Sequence, residues 1–449
     1  YSPEQLSILF GLIAALRSNP ANAALTVEEL FANASHALEL LPAELEGPRS
    51  HAELYCFMAQ NRLGGAMAVA EEIEHLHQAR AGMPVDVRSC RLLLALGDAY
   101  YHLADLPAME RTARALIHAG EEAGRPLFEG WGRFGLGWVH YQRNDLTAAM
   151  EQFNMVNAQR DLCHSRTVLD SLSGLALALS AAGRQDEAAT VVENLRAYIE
   201  EHDLVQMRVF ADALAIQIWP EQAVHAHLGA FIQNVESQVV VGLVVLPVLA
   251  ALRGYLAAGD TDSLDRAAAV LRTCGAIADR SGTVRRQVEI GALTARFHWM
   301  QENSTAALDS LRECVLLAAS GGALRLVADV GPVLDPLLHA LQDEGVAPAY
   351  VAELRSILSA THGQSSDLPV QVGKPVPIHL SSPPEIDLTN REMEVLLLLV
   401  DRLTNKEIAQ RLTVSPRTVQ KHTISLYQKL DAKNRRHAVL RAREIGVLA

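Results

Sequence analysis

Two helix starts near the C-terminus place polar and basic side chains where a helix can contact DNA. Thr404 and Glu407 have the spacing of a capping box, in which each side chain caps a backbone N–H of the other residue. Ser415 is followed by Pro416, the pairing of an N-cap with proline at the first helical position. The few residues after Leu412 leave room only for a tight turn. The pattern predicts a helix-turn-helix, which lays its second helix in the major groove of double-stranded DNA.

The second of these helices has an apolar and a polar side. At about 100° per residue, the side predicted to pack on the preceding helices consists of Val419, Thr423, Leu426 and Leu430. The opposite side is predicted to face DNA, with Lys421 at a phosphate or guanine edge and Gln420 at an adenine. The other DNA contacts predicted from this side and from the start of the preceding helix are Thr404, Asn405, Lys406, Arg417, Ile424 and Gln428. The alternative is a solvated charged face on a small helical bundle.

Residues Leu388 to Val447 resemble the LuxR-type helix-turn-helix family. The shared residues include N-K-E-I-A from Asn405, S-x-x-T-V-x-x-H from Ser415 and the basic stretch after Lys433. The resemblance implies four helices, of which the third enters the major groove and the fourth supports a dimer on a two-fold DNA site. It adds further predicted DNA contacts, which are Ser415, Thr418, His422, Lys429, Arg435 and Arg436. The family usually has a basic or polar residue at the position of Ile424; an outward isoleucine either touches a thymine methyl or packs against protein.

The distribution of charge agrees with a C-terminal DNA-binding module. From Glu385 to the end, twelve Lys and Arg accompany eight Asp and Glu, a net charge of +4. The whole chain carries −13 at neutral pH, so the residues before Glu385 carry −17. All five lysines lie after residue 370. We expect only the C-terminal part to approach a phosphate backbone, because the acidic remainder is repelled by it.

The rest of the chain is rich in Ala and Leu and repeats a short motif. A polar turn recurs at intervals of 40, 39 and 119 residues, the last being about three periods. The repeated segments are Ala104–Met109, Asn144–Ala149, Gly183–Ala188 and Glu302–Ala307. Each unit is a helix, a turn and a second helix, and such pairs must stack to bury their apolar faces. Gly137, Ala149 and Phe153 resemble the tetratricopeptide pattern. We therefore predict an all-α protein, a tetratricopeptide-like α-solenoid followed by a small four-helix LuxR-type DNA-binding domain.

The last repeat resembles the end of the helical domain of large MalT-type regulators. The shared residues are Gly321-x-x-x-Arg325, Asp329 and Gly331-Pro332. In that family an ATP-binding domain precedes the repeats, the repeats bind an inducer and the C-terminal domain activates transcription, and the resemblance implies the same here. The chain has no G-x-x-x-x-G-K-[ST] motif, so we predict no cofactor in it and ATP only through a missing N-terminal domain. Tyr1 is not Met, which favours a fragment; either the ATPase was removed or this relative lacks one.

Other candidate sites in the body are weaker. Four aromatic residues could line an inducer groove on the concave face or belong to the core, and they are Trp131, Trp138, Tyr141 and Trp299. The H-x-H pairs at His75 and His225 point two ways on a helix, and no third ligand is spaced to complete a metal shell. We predict no metal site. Because no catalytic constellation stands out, we also predict that the chain is not an enzyme.

Cysteine usage and hydropathy indicate a cytoplasmic protein. The five cysteines form no C-x-x-C pair, which is typical of reduced thiols in the cytosol. No secretory signal peptide is recognisable. The most apolar run, Val239 to Leu252, is too short for a membrane span and contains Pro247. We expect this run to form a buried helix and the protein to make no membrane contact.

The predicted division is a repeat body over residues 1–362, a Pro/Ser/Gly linker over 363–384 and a DNA-binding domain over 385–449. The linker is either a passive tether or a hinge that masks and releases the DNA-reading face. Two functions remain open. A ligand-controlled regulator would sense a small-molecule inducer or a regulatory protein and act with RNA polymerase, whereas a scaffold-type regulator would dock a partner protein and bind no small ligand. A closed, apolar-lined superhelix favours the first, and an open, charged groove favours the second.

Overall fold

The computed structural model forms two compact units, Tyr1–Ile378 and His379–Ala449. In the first unit the structure describes residues 2–17, 26–80, 82–204, 207–223, 228–229, 231–232 and 244–365. In the second unit it describes residues 395–396, 398–399, 405–412, 418–419, 423, 426, 429, 432 and 438. All regular elements among these residues are helices, which confirms the predicted all-α class.

Short turns join most of the helices in the first half of the body. Their bounds are α1 (Pro3–Arg17), α2 (Val27–Leu40), α3 (Glu46–Gln60), α4 (Ala66–Ala79), α5 (Val87–Leu103), α6 (Leu106–Glu122), α7 (Pro126–Gln142), α8 (Leu146–Ala158), α9 (Ser165–Ala181), α10 (Gln185–Glu201) and α11 (Arg208–Ile218). A π-helical segment, Asn61–Gly65, joins α3 to α4. Short 3₁₀ turns follow α8 and α11.

The second half of the body continues the pattern and ends in shorter helices. These are α12 (Pro247–Ala258), α13 (Thr261–Ser281), α14 (Val284–Met300), α15 (Ser304–Gly321), α16 (Arg325–Ala328), α17 (Asp335–Asp343) and α18 (Pro348–Ser365). The helix α18 extends three residues beyond position 362, where the body was predicted to end. The predicted linker from residue 366 onward lies outside the described residues, so the domain boundaries stay predictions.

The helices stack as a solenoid. Each helix packs against the next along the chain, and α5, α7 and α9 also contact one another in sequence. Contacts between helices one apart and two apart are the signature of helix pairs that bury their apolar faces only by stacking. The predicted tetratricopeptide-like solenoid is therefore confirmed.

The repeated sequence motif forms a turn with a left-handed residue in each copy, and three of the four copies also cap the next helix with a side chain, Arg184 being the exception. The residue before the cap has a left-handed backbone, with φ of 54° at Ala104 and 61° at Asn144. The next side chain caps the following helix, as Asp105 and Asp145 accept hydrogen bonds from the backbone N–H three residues on. Gly259–Asp260 forms the same turn and is a further copy that the sequence pattern missed; its sixth residue is Leu264, where three of the four recognised copies have alanine.

Close packing around one aromatic ring fixes the spacing of α7, α8 and α9. Phe153 of α8 is fully buried. A Cβ placed on Gly137 of α7 would lie 2.7 Å from the Phe153 ring, and one on Gly174 of α9 would lie 2.5 Å from it. The ring thus occupies the space that a larger residue on either neighbouring helix would need. Gly137 was recognised in the sequence, but Gly174 was not.

The solenoid closes on itself at turns that are far apart in the sequence. Gly321, at the end of α15, lies so close to the carbonyl oxygen of Ala104 that any Cβ there would overlap it. A Cβ on Gly64 would stand 3.4 Å from the carbonyl oxygen of Ser281. Packing between α5 and α14, and between α7 and α16, joins the same two halves. The concave side of the first half is therefore covered by the second half.

The apolar run predicted as one buried helix divides at its proline. Val244, Val245 and Leu246 are buried but not helical, and α12 begins at Pro247. Proline has no backbone N–H, and at the first helical position that N–H would have no partner within the helix. Proline is therefore favoured at a helix start. The residues 239–243 lie outside the described part. Among the helices that the structure describes, none is long and apolar enough to cross a membrane.

We expect Gly174→Ala to destabilise the body by about 1–3 kcal/mol, because Phe153 has no free space into which it can move. A lowered midpoint in urea unfolding would measure the effect. Gly275→Ala is the matched control, since nothing lies within 4 Å of a Cβ at that helical position. The control should gain about 0.5–1 kcal/mol from helix propensity. Equal stabilisation by both substitutions would contradict the close packing.

Candidate nucleic-acid interface and enclosed polar interior

The second unit buries the apolar face that the sequence predicts. We call the helix predicted to begin at Ser415 the reading helix. The described residues of its predicted packing side are all buried, namely Val419, Thr423 and Leu426. The Thr423 hydroxyl donates to the carbonyl oxygen of Val419 at 2.8 Å, as expected for helical residues four apart. The preceding residues of this unit also bury apolar side chains, which are Val395, Leu396, Leu399 and Ile408, and Leu412 is half-buried. The predicted packing side of this helix is therefore confirmed at its described positions.

Few of the predicted DNA contacts fall on described side chains. Thr418 is half-buried and Lys429 is exposed. Asn405 and Lys406 form the first turn of helix α19 (Asn405–Arg411), where backbone N–H groups and the positive end of the helix dipole suit a phosphate. The predicted contacts that lie outside the described residues are Thr404, Ser415, Arg417, Gln420, Lys421, His422, Ile424, Gln428, Arg435 and Arg436. The DNA contacts stay predictions.

The aromatic residues proposed for an inducer groove occupy two environments. Trp138 and Tyr141 are buried, 4% and 1% exposed, with ring centroids 5.4 Å apart. They face the closed interior of the solenoid and so form no open groove wall. Trp131 is half-buried beside Phe134, and Trp299 is also half-buried. A ligand-binding role for these four residues stays a prediction.

Tyr141 belongs to the contact that closes the solenoid. Its hydroxyl donates to Oδ2 of Asp329 at 2.6 Å. Arg325 pairs with the same carboxylate at 2.5 Å, donates to Oδ1 of Asn144 at 3.2 Å and lies over the Tyr141 ring at 5.5 Å. Arg325 and Asp329 were noticed in the sequence only as part of a resemblance. In the structure they join α16 to the α7–α8 turn.

Gln142 fastens the same turn to the backbone of the second half. Its carbonyl oxygen accepts from the N–H of Leu324 at 2.9 Å, and its side-chain oxygen accepts from the N–H of Leu326 at 3.2 Å. Gln142 is almost fully buried. The start of α16 therefore obtains hydrogen-bond partners from residues more than 180 positions earlier in the chain.

Arg285 of α14 lies in the middle of the enclosed interior. It is 3% exposed. Its guanidinium stacks over the rings of Tyr101 and Trp138, at 4.4 and 5.0 Å from their centroids. One of its terminal nitrogens donates to the carbonyl oxygen of Val244 at 3.0 Å. The N–H of Val244 in turn donates to Oδ1 of Asp170 at 3.2 Å, which links α14 to α9 through the backbone before α12.

Buried charges surround this arginine. Arg286 donates to the Glu289 carboxylate at 2.7 Å, and Arg253 lies 3.8 Å from the same carboxylate. Arg253 also donates to the carbonyl oxygen of Asp329 at 2.9 Å. Burial alone would raise the pKa of Glu289, but its pKa is lowered because the surrounding guanidinium groups outweigh burial. A carboxylate shared by several arginines remains ionised.

On α9, Asp170 is held by the Nε of Arg166 at 2.6 Å. Burial raises the pKa of Asp170, and the Arg166 charge opposes that rise. Both hydroxyls that flank it on the same helix, those of Thr167 and Ser171, are buried without a hydrogen-bond partner. The helix thus directs one paired carboxylate and two unused hydroxyls into the protein.

His102 of α5 is enclosed near a carboxylate but stays neutral. Asp98 accepts from Asn61 at 2.9 Å and pairs with Arg62 at 3.3 Å. The His102 ring lies 3.7 Å from the same carboxylate. Burial lowers the pKa of His102 to about 3, because desolvation outweighs the Asp98 charge and Arg62 adds repulsion. The contact at 3.7 Å is therefore no ion pair at neutral pH.

Sequence reasoning did not identify this charged interior. The pairs Arg166–Asp170 and Arg286–Glu289 have the four- and three-residue spacings of ordinary surface ion pairs on helices. Their only unusual signal is that they stand in helices that are otherwise buried, such as α9. Among the described residues, no three His, Cys, Asp or Glu side chains are grouped so that they could hold a metal ion.

The fold and the second unit define a helical-repeat protein with a helix-turn-helix domain. The MalT-like TPR region matches residues 11–344, and the bacterial regulatory proteins of the luxR family match residues 387–442. The chain therefore belongs to the luxR family and carries a MalT-like TPR body.

Individual relatives match through the C-terminal unit. Spore germination protein GerE of Bacillus subtilis is 46% identical over 61 residues, 14% of this chain and 82% of GerE. Transcriptional regulatory protein DesR of Bacillus subtilis is 44% identical over 59 residues, 13% of this chain and 30% of DesR. The regulator MalT of Vibrio campbellii is 41% identical over 58 residues, 13% of this chain and 6% of MalT. The chain thus spans less than a third of DesR and of MalT in these matches.

A solved structure supports the fold of the body. The crystal structure of Rap protein complexed with competence and sporulation factor superposes with a TM-score of 0.52 and 13% identity. The superposition covers 80% of this chain and 99% of that one. At this identity the likeness shows a shared fold.

We expect the body to lose stability as the pH falls from 7 towards 5, in part through His102. The unfolded chain binds a proton at His102 below its ordinary pKa of 6.5, whereas the folded protein does not until about pH 3. This residue should therefore cost about 2 kcal/mol of unfolding free energy between pH 7 and 5. Urea unfolding of His102→Gln should show a weaker pH dependence by that amount, and the exposed control His118→Gln should not. An unchanged pH dependence in His102→Gln would contradict the assignment.

We expect positions 141 and 329 to be energetically coupled, because the Tyr141 hydroxyl donates to a partly buried carboxylate. A double-mutant cycle with Tyr141→Phe and Asp329→Ala should give a coupling of about 1–3 kcal/mol in the free energy of unfolding. A control cycle pairing Tyr141→Phe with Asp262→Ala, an exposed position on α13, should be additive. Additivity in the first cycle would mean that the closing contact contributes no stability.

Proposed function

We propose that this chain is a sequence-specific transcriptional regulator whose helical body controls DNA binding in response to an inducer. The observation that carries the proposal is the joining in one chain of a luxR-family domain to a MalT-like TPR body. The C-terminal unit binds double-stranded DNA as a dimer, and the regulator activates transcription together with RNA polymerase. These partners place it in the cytoplasm, and no cofactor is assigned to the chain itself.

The reading helix supplies the base contacts. Its buried side contains Val419, Thr423 and Leu426. The sequence periodicity of a helix predicts that Gln420 and Lys421 face DNA on the other side. Ile424 on the same side gives an apolar contact suited to a thymine methyl. The first turn of α19 binds the neighbouring phosphate. This division into base and phosphate contacts is what sequence-specific binding requires.

The enclosure of the interior supports a small ligand as the signal. Closure between α5 and α14 and between α7 and α16 leaves the concave side covered, so a folded partner has no access to it. A small molecule needs only a partial opening of the closing contact. The interior is closed, as expected for a ligand-binding body, but it contains buried charges where an apolar lining was expected. These charges favour a ligand with polar groups.

A second candidate function rests on a groove. An open groove of about 420 Å³ lies between α8, α9 and α10 and is lined by polar and apolar side chains, among them Met150, Glu151, Leu179 and Arg184. Such a surface suits a segment of a partner protein. In this alternative the body is a scaffold that docks a regulator and binds no small ligand.

A thermal-shift screen of the full chain against sugars, hydrophobic acids, aromatics and nucleotides distinguishes the two functions. A ligand at about 100 times its dissociation constant should add about 2.7 kcal/mol of stability. A hit that also changes the affinity for operator DNA supports the sensor. A clean negative across the library, followed by capture of a protein that Arg184→Glu in the groove releases, supports the scaffold and contradicts the sensor.

We expect Lys421→Ala to weaken binding to operator DNA by about 1–3 kcal/mol, because a contact to phosphate or a guanine edge is lost. If the contact is to phosphate, the slope of log affinity against log salt should also fall by about 1. Fluorescence anisotropy at several salt concentrations measures both. Arg266→Ala removes an exposed arginine of the body and is the control, whose affinity for operator DNA should equal that of the wild type. Unchanged binding of Lys421→Ala would remove that residue from the interface.

A further inference from the structure

Arg285 is a buried cation that makes no close ion pair with any described residue. It is 3% exposed, and no carboxylate of a described residue lies within ion-pair distance of it. Its contacts are one carbonyl oxygen and the faces of two aromatic rings. Removing a guanidinium from water costs several kcal/mol unless an opposite charge compensates it. The aromatic faces recover only part of that cost.

The neighbouring carboxylates are already engaged. Asp170 is paired with Arg166, and Glu289 is shared by Arg286 and Arg253. Among the described residues, the enclosed network holds six arginines and four carboxylates, which are Arg62, Arg166, Arg253, Arg285, Arg286, Arg325, Asp98, Asp170, Glu289 and Asp329. His102 adds no charge because it is neutral. The described side chains of this network thus carry more positive than negative charge.

The electrostatics of the charged neighbours agree with that excess. Burial lowers the pKa of Arg286, and repulsion from Arg285 lowers it further. The pKa of Glu289 is lowered although burial opposes this, since three guanidinium groups act on one carboxylate. Both shifts are those of a site with too few anions.

Unused hydrogen-bond donors belong to the same network. The Nε of Arg285, the hydroxyl of Tyr101 and the hydroxyls of Thr167 and Ser171 are all buried without a partner. Tyr101 contacts Arg285 directly, and Thr167 and Ser171 flank Asp170, to which Arg285 is linked through Val244. Water would satisfy the hydroxyls but would not neutralise the guanidinium. An oxyanion would do both.

We propose that the enclosed interior is a binding site for a compact oxyanion, the carboxylate or phosphate group of a small molecule, held by Arg285 and Tyr101 with the hydroxyls of α9 as further donors. The rings of Tyr101 and Trp138 hold the guanidinium in place before the ligand arrives, which lowers the entropic cost of binding. The site would be the sensor site of the proposed function and rests on that function only for its biological role. Binding itself is tested independently of DNA.

The first experiment is a titration of the full chain with inorganic phosphate and, separately, with succinate, at constant ionic strength maintained with sodium chloride. The melting temperature should rise with saturation for at least one of the two anions. A response to phosphate alone assigns a phosphorylated ligand, and a response to succinate alone assigns a carboxylate. Maltose is the neutral probe and should not act at this site.

Substitutions locate the response. Arg285→Met should abolish the saturable shift, while the melting temperature without anion stays equal or rises, since a buried uncompensated charge is replaced by an apolar side chain of similar length. Tyr101→Phe keeps the ring but removes the hydroxyl, and it should lower the affinity for the anion at least tenfold. Arg266→Met is the matched control, because that arginine is exposed and paired with Asp262, and its response should equal that of the wild type.

The absence of a saturable shift with either anion overturns the proposal, and so does an equal response in Arg285→Met. If Arg285→Met fails to fold, the wild-type titration and Tyr101→Phe still decide the question. A shift with maltose but with neither anion overturns the oxyanion site while it supports a sensor body. Anion binding that leaves operator affinity unchanged supports the site and contradicts its role in the proposed function.

Discussion

Closure of the solenoid forces charged side chains to find partners inside the protein. An open concave face would leave them in water, but here α14 and α16 cover the inner sides of α5 and α7. The desolvation cost of each charge must then be met by ion pairs, hydrogen bonds or aromatic faces. Most are met in that way, as Arg325 is by Asp329. Arg285 is the exception, because it has a carbonyl oxygen and two aromatic faces but no close ion pair among the described residues.

The same closure explains residues that have no chemistry of their own. Gly321 allows the end of α15 to approach the α5–α6 turn, and Gly137 and Gly174 let α7 and α9 enclose the Phe153 ring. Each small residue allows two helices to approach closely, and this spacing affects the positions of the helices that stack on them. Small residues at such points set the curvature of a solenoid, and curvature decides whether its two halves can meet. The positions of the charged groups depend on these glycines in turn.

Local patterns were enough to predict the class of fold but not its closure. The turn at Asn144–Asp145 and the buried side formed by Val419 could be predicted, because capping and helical periodicity act over a few residues. The contact of Tyr141 with Asp329 joins positions 188 residues apart and has no local signal. The sequence predicts Trp138 and Tyr141 as candidate ligand residues because they are aromatic. It does not predict Arg285, since the contact of Arg285 with the Trp138 ring is also long-range.

A charged, enclosed interior also constrains how a signal can reach the DNA-binding unit. A buried charge without a close ion pair is more stable where water or an anion can reach it. Burial of Arg285 therefore lowers the stability of the closed solenoid relative to an open form when no ligand is bound. A bound oxyanion removes that reason and stabilises closure. The closing contact at Asp329 lies a few residues before α17, which is followed by α18, the last described helix of the body. A ligand that binds the closed form more tightly than the open form shifts the balance between them by that difference in affinity, and this is sufficient for control without any contact to DNA.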